Sequence, residues 1–202
     1  QRAIRKEVKY FFRDLSAYTA ILLMAGCGLR ISEPLRLTRK NFDSDEGSLY
    51  IEKTKFHKDR LIPVPGTCLA HLKNYLSVRR GYIRKSKNLP LLARRNGSPL
   101  RYEDIYRPFG EAVKQIGVRR RKHSIANTTF GAPTPHSLRH SFPINTLKSI
   151  TQRGGSAREM LPVLSAYMGH RNYRYTAVYL KFLNAEQRNN LVDFSIKRQD
   201  EV

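Results

Sequence analysis

The chain has 202 residues, 40% of them hydrophobic and 10% aromatic, which suffices to bury a core and excludes a peptide hormone or a disordered tail. Lys and Arg number 38 against 16 Asp and Glu, a formal charge of +22 carried by both halves of the chain, so a basic tail on a neutral domain is excluded and nucleic acid is the expected partner, ahead of an anionic membrane. No apolar run approaches the ~20 residues of a membrane span. The cysteines Cys27 and Cys68 match neither a disulfide framework nor a zinc spacing, and a cytoplasmic chain with structural thiols, no metal and no membrane contact is expected. Gln1 in place of Met suggests a fragment excised from a longer protein.

In chain order, Leu15 to Ala25 reads as a buried helix ended by Gly26 and Gly28. Ser32, followed by Glu33 and Pro34, reads as the cap of a second helix that carries Leu35 and Leu37 inward, with Arg30 in the joint between the two. Segments Ser48 to Lys53 and Asp59 to Val64 predict an antiparallel hairpin with a basic tip at Thr54 to Lys58, closed by Pro63 and Pro65. Leu69, Leu72, Leu76 and Val78 predict a helix stopping at Gly81, and Ile105, Phe109, Val113 and Ile116 predict another. The stretches Arg84 to Asn96 and Arg119 to Thr134 are basic loops that fit a solvated face as well as a polyanion-facing one. Helical candidates then follow at 136–150, Arg158 to Gly169, Thr176 to Phe182 and Glu186 to Ile196, with Thr151 to Ala157 as a flexible spacer. The expected fold is mainly α with one small antiparallel β-sheet.

Three segments place basic or hydrogen-bonding side chains at chain joints: GCGLRISEPLRL with Arg30, PHSLRHSF with His136, Arg139 and His140, and YMGHRNYRYTAVYLKF with His170 and Tyr179. His136, Arg139 and His140 stand at i, i+3 and i+4, so a helix presents all three on one face, and a guanidinium fork beside imidazoles suits a phosphate. Zinc at His136 and His140 is disfavoured because Ser137 stands where a metalloprotease helix carries Glu and neither cysteine can complete the site.

In this order, from about Leu15 to Phe194, the three segments resemble the signature boxes of the tyrosine recombinase family, the lambda-integrase-like group that includes Xer and Cre-type enzymes. The resemblance implies that family's catalytic-domain fold, double-stranded DNA as substrate, a homo-tetramer on DNA in the intact protein, and chemistry without metal, ATP or other cofactor. GLRISEP places the first catalytic arginine at Arg30; the HxLRH box implies His136 and Arg139 as contacts of the phosphate and nucleophile, with His140 as a neighbour; and GH places His170. The nucleophilic tyrosine of the family lies nine residues beyond that histidine, at Tyr179. Tyr175 lies one helical turn away, and helical geometry alone does not choose between the two. The family lysine, eight residues before a proline that follows the second strand, falls on Lys55, with Lys53 and Lys58 at the same turn.

A phenol with a pKa of ~10 must lose its proton as it attacks. The resemblance implies that Arg30, Arg139 and His170 neutralise the phosphate oxygens, that His136 helps accept the proton, and that Lys55 protonates the departing 5′-oxygen. The implied role is integration, excision or resolution of mobile DNA through a 3′-phosphotyrosine. Two other readings share part of the pattern: a catalytically silent DNA-binding module and a type IB topoisomerase. Pro34 and Pro143 depart from the family wording, and Pro143 predicts a helix broken or bent around Ser141. The family's N-terminal DNA-clamping domain is expected to be absent from residues 1–202, and the apolar residues after Leu183 are expected to dock on a neighbouring subunit or on their own domain.

Overall fold

The computed structural model describes residues 8–52, 59–83, 89–118, 123–125, 128–130, 132–181 and 183–184. The chain divides into two compact units, Gln1–His140 and Ser141–Val202. Its described residues are mostly helical with short antiparallel strands, as the hydrophobic periodicity predicts.

The first unit is built on α1 (Val8–Cys27), which packs against α2 (Ser32–Arg36), α3 (Gly66–Arg79) and α4 (Tyr102–Gln115). Phe12, Ala20, Leu23 and Met24 of α1 are wholly buried. The helix runs through Gly26 rather than stopping there. A Cβ at Gly26 would lie 2.2 Å from Cys68 Sγ, so this glycine serves the close approach of α1 and α3, while Gly28 (φ 61°) supplies the left-handed stop. Both cysteines are buried and not joined in a disulfide.

β1 (Phe42–Asp43), β2 (Ser48–Ile51) and β3 (Arg60–Pro63) form an antiparallel sheet in the order β1-β2-β3. The predicted hairpin is its β2–β3 part. Leu49 pairs with Ile62 on the buried face, and Tyr50 pairs with Leu61 on the open one. The short β1 carries too little alternation to announce itself. A second ribbon, β4 (His123–Ile125) with β5 (Thr128–Phe130), lies inside the stretch read as a basic loop, so the described residues hold two small sheets rather than one.

The other basic loop also proves partly structural. Leu91, Leu92 and Ala93 are buried, and the Leu91 amide donates to the Leu37 carbonyl at 2.7 Å. The short apolar run LPLLA outweighed its basic flanks. Ile116, expected on the core face of α4, is instead 72% exposed because the helix ends at Gln115.

α5 (Pro135–Gln152) continues through Pro143 without the expected break, and the division between the two units falls inside it, between His140 and Ser141. Proline removes one amide donor, whereas burial of Pro143 and Leu147 favours the helical path. Thr151 to Ala157 is no loose spacer either. Gly154 (φ 80°) donates to the Thr151 carbonyl and Gly155 to that of Ile150, a Schellman stop, and Gly155 packs so closely on Ile150 that a Cβ would meet its Cγ2 at 2.8 Å.

In the second unit, α6 (Leu161–Met168) begins three residues later than predicted, and helical residues 174–181 follow. Leu147, Leu161, Leu164, Met168, Tyr179 and Leu183 form its core. Phe182 and Glu186 to Ile196 lie outside the described residues. No described helix is long and apolar enough to cross a membrane.

Candidate active site

The Arg30 joint is organised by one buried carboxylate. Gly28 turns the chain out of α1, wholly buried Leu29 pins the connection, and α2 starts at once, so Glu33 in its first turn points back under Arg30. Glu33 Oε2 accepts the Arg30 amide at 2.8 Å, and Oε1 accepts Arg30 Nη1 at 3.2 Å. Arg60, the first residue of β3, engages both oxygens, Nη1 to Oε1 at 3.1 Å and Nη2 to Oε2 at 3.0 Å. Arg139 reaches the same place from α5, with Nη1 3.9 Å from Glu33 Oε2 and donating to the Gly28 carbonyl at 2.6 Å.

Three guanidiniums therefore surround one carboxylate. Burial alone would push Glu33 up, but the hydrogen bonds and charge of Arg60, then the Arg30 amide and the charge of Arg139, hold it below the ordinary glutamate value. Glu33 stays ionised, and the cluster keeps a surplus of positive charge. Arg30 retains 24% side-chain exposure, whereas the side chains of Arg60 and Arg139 are 8% and 4% exposed.

His136 and His140 lie one turn apart on α5, their rings 4.6 Å apart and nearly perpendicular. Loss of hydration lowers the His136 pKa, helped by repulsion from His140, Arg139 and Arg30; His140 is lowered by loss of hydration and by Arg139. Both imidazoles are therefore biased toward the neutral form, able to accept a proton.

In the second unit, Gly169 (φ 63°) ends α6 in a Schellman turn, with its amide donating to the Ala166 carbonyl and that of His170 to Ser165. This turn sets the direction in which His170 leaves the helix. Its Nδ1 lies 2.8 Å from the hydroxyl of wholly buried Thr176. Asn172 caps the next helix by accepting the Arg174 amide at 2.9 Å. Tyr175, 65% exposed, presents its ring at 77° to that of His170 across 6.4 Å, while Tyr179 is 7% exposed and sits among the core leucines. The two tyrosines, one turn apart, thus occupy different environments, which spacing alone did not reveal.

Arg30, His136 and Arg139 thus belong to the first unit, and His170 and Tyr179 to the second, each set described within its own unit; Lys55 lies outside the described residues. Arg30 is thus an ion-pair partner of Glu33 and a member of the cluster at once. Arg60 carried no motif, and Thr176 stood in the third segment with no role assigned to it. For Arg60 a signal existed: it shares the inward face of β3 with Ile62, where a charge needs a buried partner. Among the described residues no group of three or more His, Cys, Asp or Glu could hold a metal ion.

Residues 2–186 match the family described as the phage integrase family. The putative integrase/recombinase y4rE of Sinorhizobium fredii is 34% identical over 168 residues, covering 83% of this chain and 51% of that protein. The tyrosine recombinase XerA of Pyrococcus furiosus is 29% identical over 182 residues, covering 86% and 54% respectively. The chain thus spans about half the length of these curated relatives. A crystal structure of the site-specific recombinase XerH bound to its difH substrate has the same fold, with a TM-score of 0.64 at 23% identity, over 87% of this chain and 45% of that one.

Proposed function

The chain belongs to the phage integrase family, and from that premise we propose that it is a tyrosine recombinase that breaks and rejoins double-stranded DNA through a covalent 3′-phosphotyrosine. The observation that carries the reading is the Glu33-centred cluster, in which guanidiniums from three separate elements are held together with a positive surplus beside a histidine biased toward neutrality. That is a receptor for a phosphodiester whose charge grows on attack.

Arg30 and Arg139 take the non-bridging oxygens. Tyr179 is the nucleophile; its oxygen bonds to phosphorus as the bond to the 5′-oxygen breaks, its proton passes toward His136, and Lys55 returns a proton to the departing 5′-oxygen. His170 Nδ1 lies 2.8 Å from the Thr176 hydroxyl; in this reading the hydroxyl donates to Nδ1, and the His170 proton sits on Nε2 to serve a phosphate oxygen. A 5′-hydroxyl of another strand reverses the step, and one diester replaces another without a cofactor. Tyr179 is 7% exposed, and in this reading residues 174–181 shift to bring it to the phosphate. We assign to this chain the catalytic share of the work of its longer relatives, on DNA as a tetramer, in mobile-element integration, excision or resolution.

The burial of Tyr179 also favours a second reading, a module that binds DNA without cutting it; a type IB topoisomerase would cut but not exchange partners. A suicide substrate, nicked beside the cleavage site, separates binding from cutting. Wild type should yield a denaturant-resistant protein–DNA adduct that Tyr179→Phe does not form, and a duplex carrying a 5′-hydroxyl should take up the strand. An adduct undiminished in Tyr179→Phe contradicts the assignment of the nucleophile, and binding with no adduct favours the silent module.

A further inference from the structure

Arg60 stands outside the recombinase motif, yet it makes the most complete contact with Glu33: two parallel hydrogen bonds, one to each carboxylate oxygen, from a side chain only 8% exposed. Such fork-to-fork geometry takes up more of the carboxylate's charge than a single bond does. Arg139, by contrast, lies 3.9 Å from Oε2, within ion-pair range but beyond a hydrogen bond, and Arg30 gives Glu33 one guanidinium bond at 3.2 Å. Resting on the reading of the site as a phosphodiester receptor, we propose that Arg60 is a positioning residue that neutralises Glu33, so that Glu33 orients Arg30 and Arg139 without drawing off the charge they deliver to the phosphate.

Three guanidiniums and one carboxylate leave a surplus of two positive charges; without Arg60 the surplus is one. A phosphodiester carries one negative charge at rest and approaches two as the phenolate attacks. The second positive charge is therefore felt mainly in the transition state, where it raises the rate of cleavage more than the affinity for DNA. Both terminal nitrogens of Arg60 are bonded to Glu33, one to each carboxylate oxygen, so the effect of Arg60 passes through Glu33.

The test measures single-turnover cleavage of the suicide substrate and DNA affinity in parallel for Arg60→Met, Arg60→Lys, Glu33→Gln and the Arg60→Met/Glu33→Gln pair. Arg60→Met should slow cleavage about 100-fold, the scale of one lost preorganised charge contact, with DNA affinity kept within about threefold. Arg60→Lys keeps the charge but not the fork and should regain about tenfold. The double variant should be no slower than the slower single variant, because removing the carboxylate together with Arg60 restores the surplus of two positive charges. Losses that multiply, or a wild-type rate in Arg60→Met, would overturn the proposal; if Arg60→Met does not fold, the rate and affinity of Arg60→Lys decide in its place.

Sulfate, a tetrahedral dianion, gives a readout independent of DNA chemistry when its binding is followed at the His136 imidazole resonances. Weaker sulfate binding in Arg60→Met and Arg60→Lys supports the role of Arg60 even if wild type makes no adduct, in which case the recombinase reading alone fails. Unchanged sulfate binding in both variants overturns the inference whatever the adduct assay shows.

Discussion

Glu33 is 3% exposed and shared by three arginines, so its ionisation is tied to the stability of the first unit. Its folded pKa lies below the ordinary glutamate value. The stabilisation it contributes is therefore fully present above that ordinary value and is lost as pH falls through the lowered one. Glu33→Gln should cost on the order of 3 kcal/mol at neutral pH, the scale of a broken buried ion pair, and the deficit should shrink in acid where wild type is protonated as well. Denaturant titrations of both proteins across the acid range check this; a deficit independent of pH would contradict it. His136 and His140 have the same sign for a different reason. Both are held below the ordinary histidine value, so stability is complete above that value and declines as pH falls toward and through the lowered values. Arg30, His136 and Arg139 were legible because their segments name them. Glu33 stood in the same segment but read as a helix-start residue, since sequence does not show that one carboxylate serves arginines from α2's approach, β3 and α5.

At the scale of elements, local chemistry was read well where a single residue decides and poorly where packing does. Gly28 and Gly169 stop their helices as expected of glycine in the left-handed region. Gly26 looked like a stop and is instead a contact with Cys68, and Pro143 looked like a break and is carried within a continuous helix, because in both places tertiary burial overrides local preference. The stops permit a paired prediction. Gly169→Ala and Gly154→Ala each force a left-handed alanine and should each lose about 1 kcal/mol in denaturation. Only Gly169→Ala should also slow cleavage, by about tenfold or more, because His170 leaves the helix through that turn. Equal activity in the two variants would show that the Schellman turn at Gly169 does not aim His170.

At the scale of the molecule, the charge of +22 predicts how DNA is held. Contacts to six or more phosphates imply a loss of about a thousandfold in affinity between 50 and 200 mM salt, with weak preference for sequence. Titrations at several salt concentrations on matched and scrambled duplexes measure both slope and preference; tight binding indifferent to salt would contradict the charge-driven account. The fold class and the helices α1 and α4 were legible, α1 from a run that is apolar on nearly all sides and α4 from apolar residues repeating at helical spacing. The β4–β5 ribbon and buried Leu91 to Ala93 were not, because three-residue strands and a short apolar run surrounded by basic residues read as loop.

The measurement that bears most directly on the central claim is identification of the residue that carries the DNA. Trapped adduct is digested with protease and nuclease, and the modified peptide is sequenced by mass spectrometry. The expected product is a nucleotide joined through its 3′-phosphate to Tyr179. Modification at exposed Tyr175 or Tyr173, or no modified peptide from protein shown to bind the substrate, would contradict it.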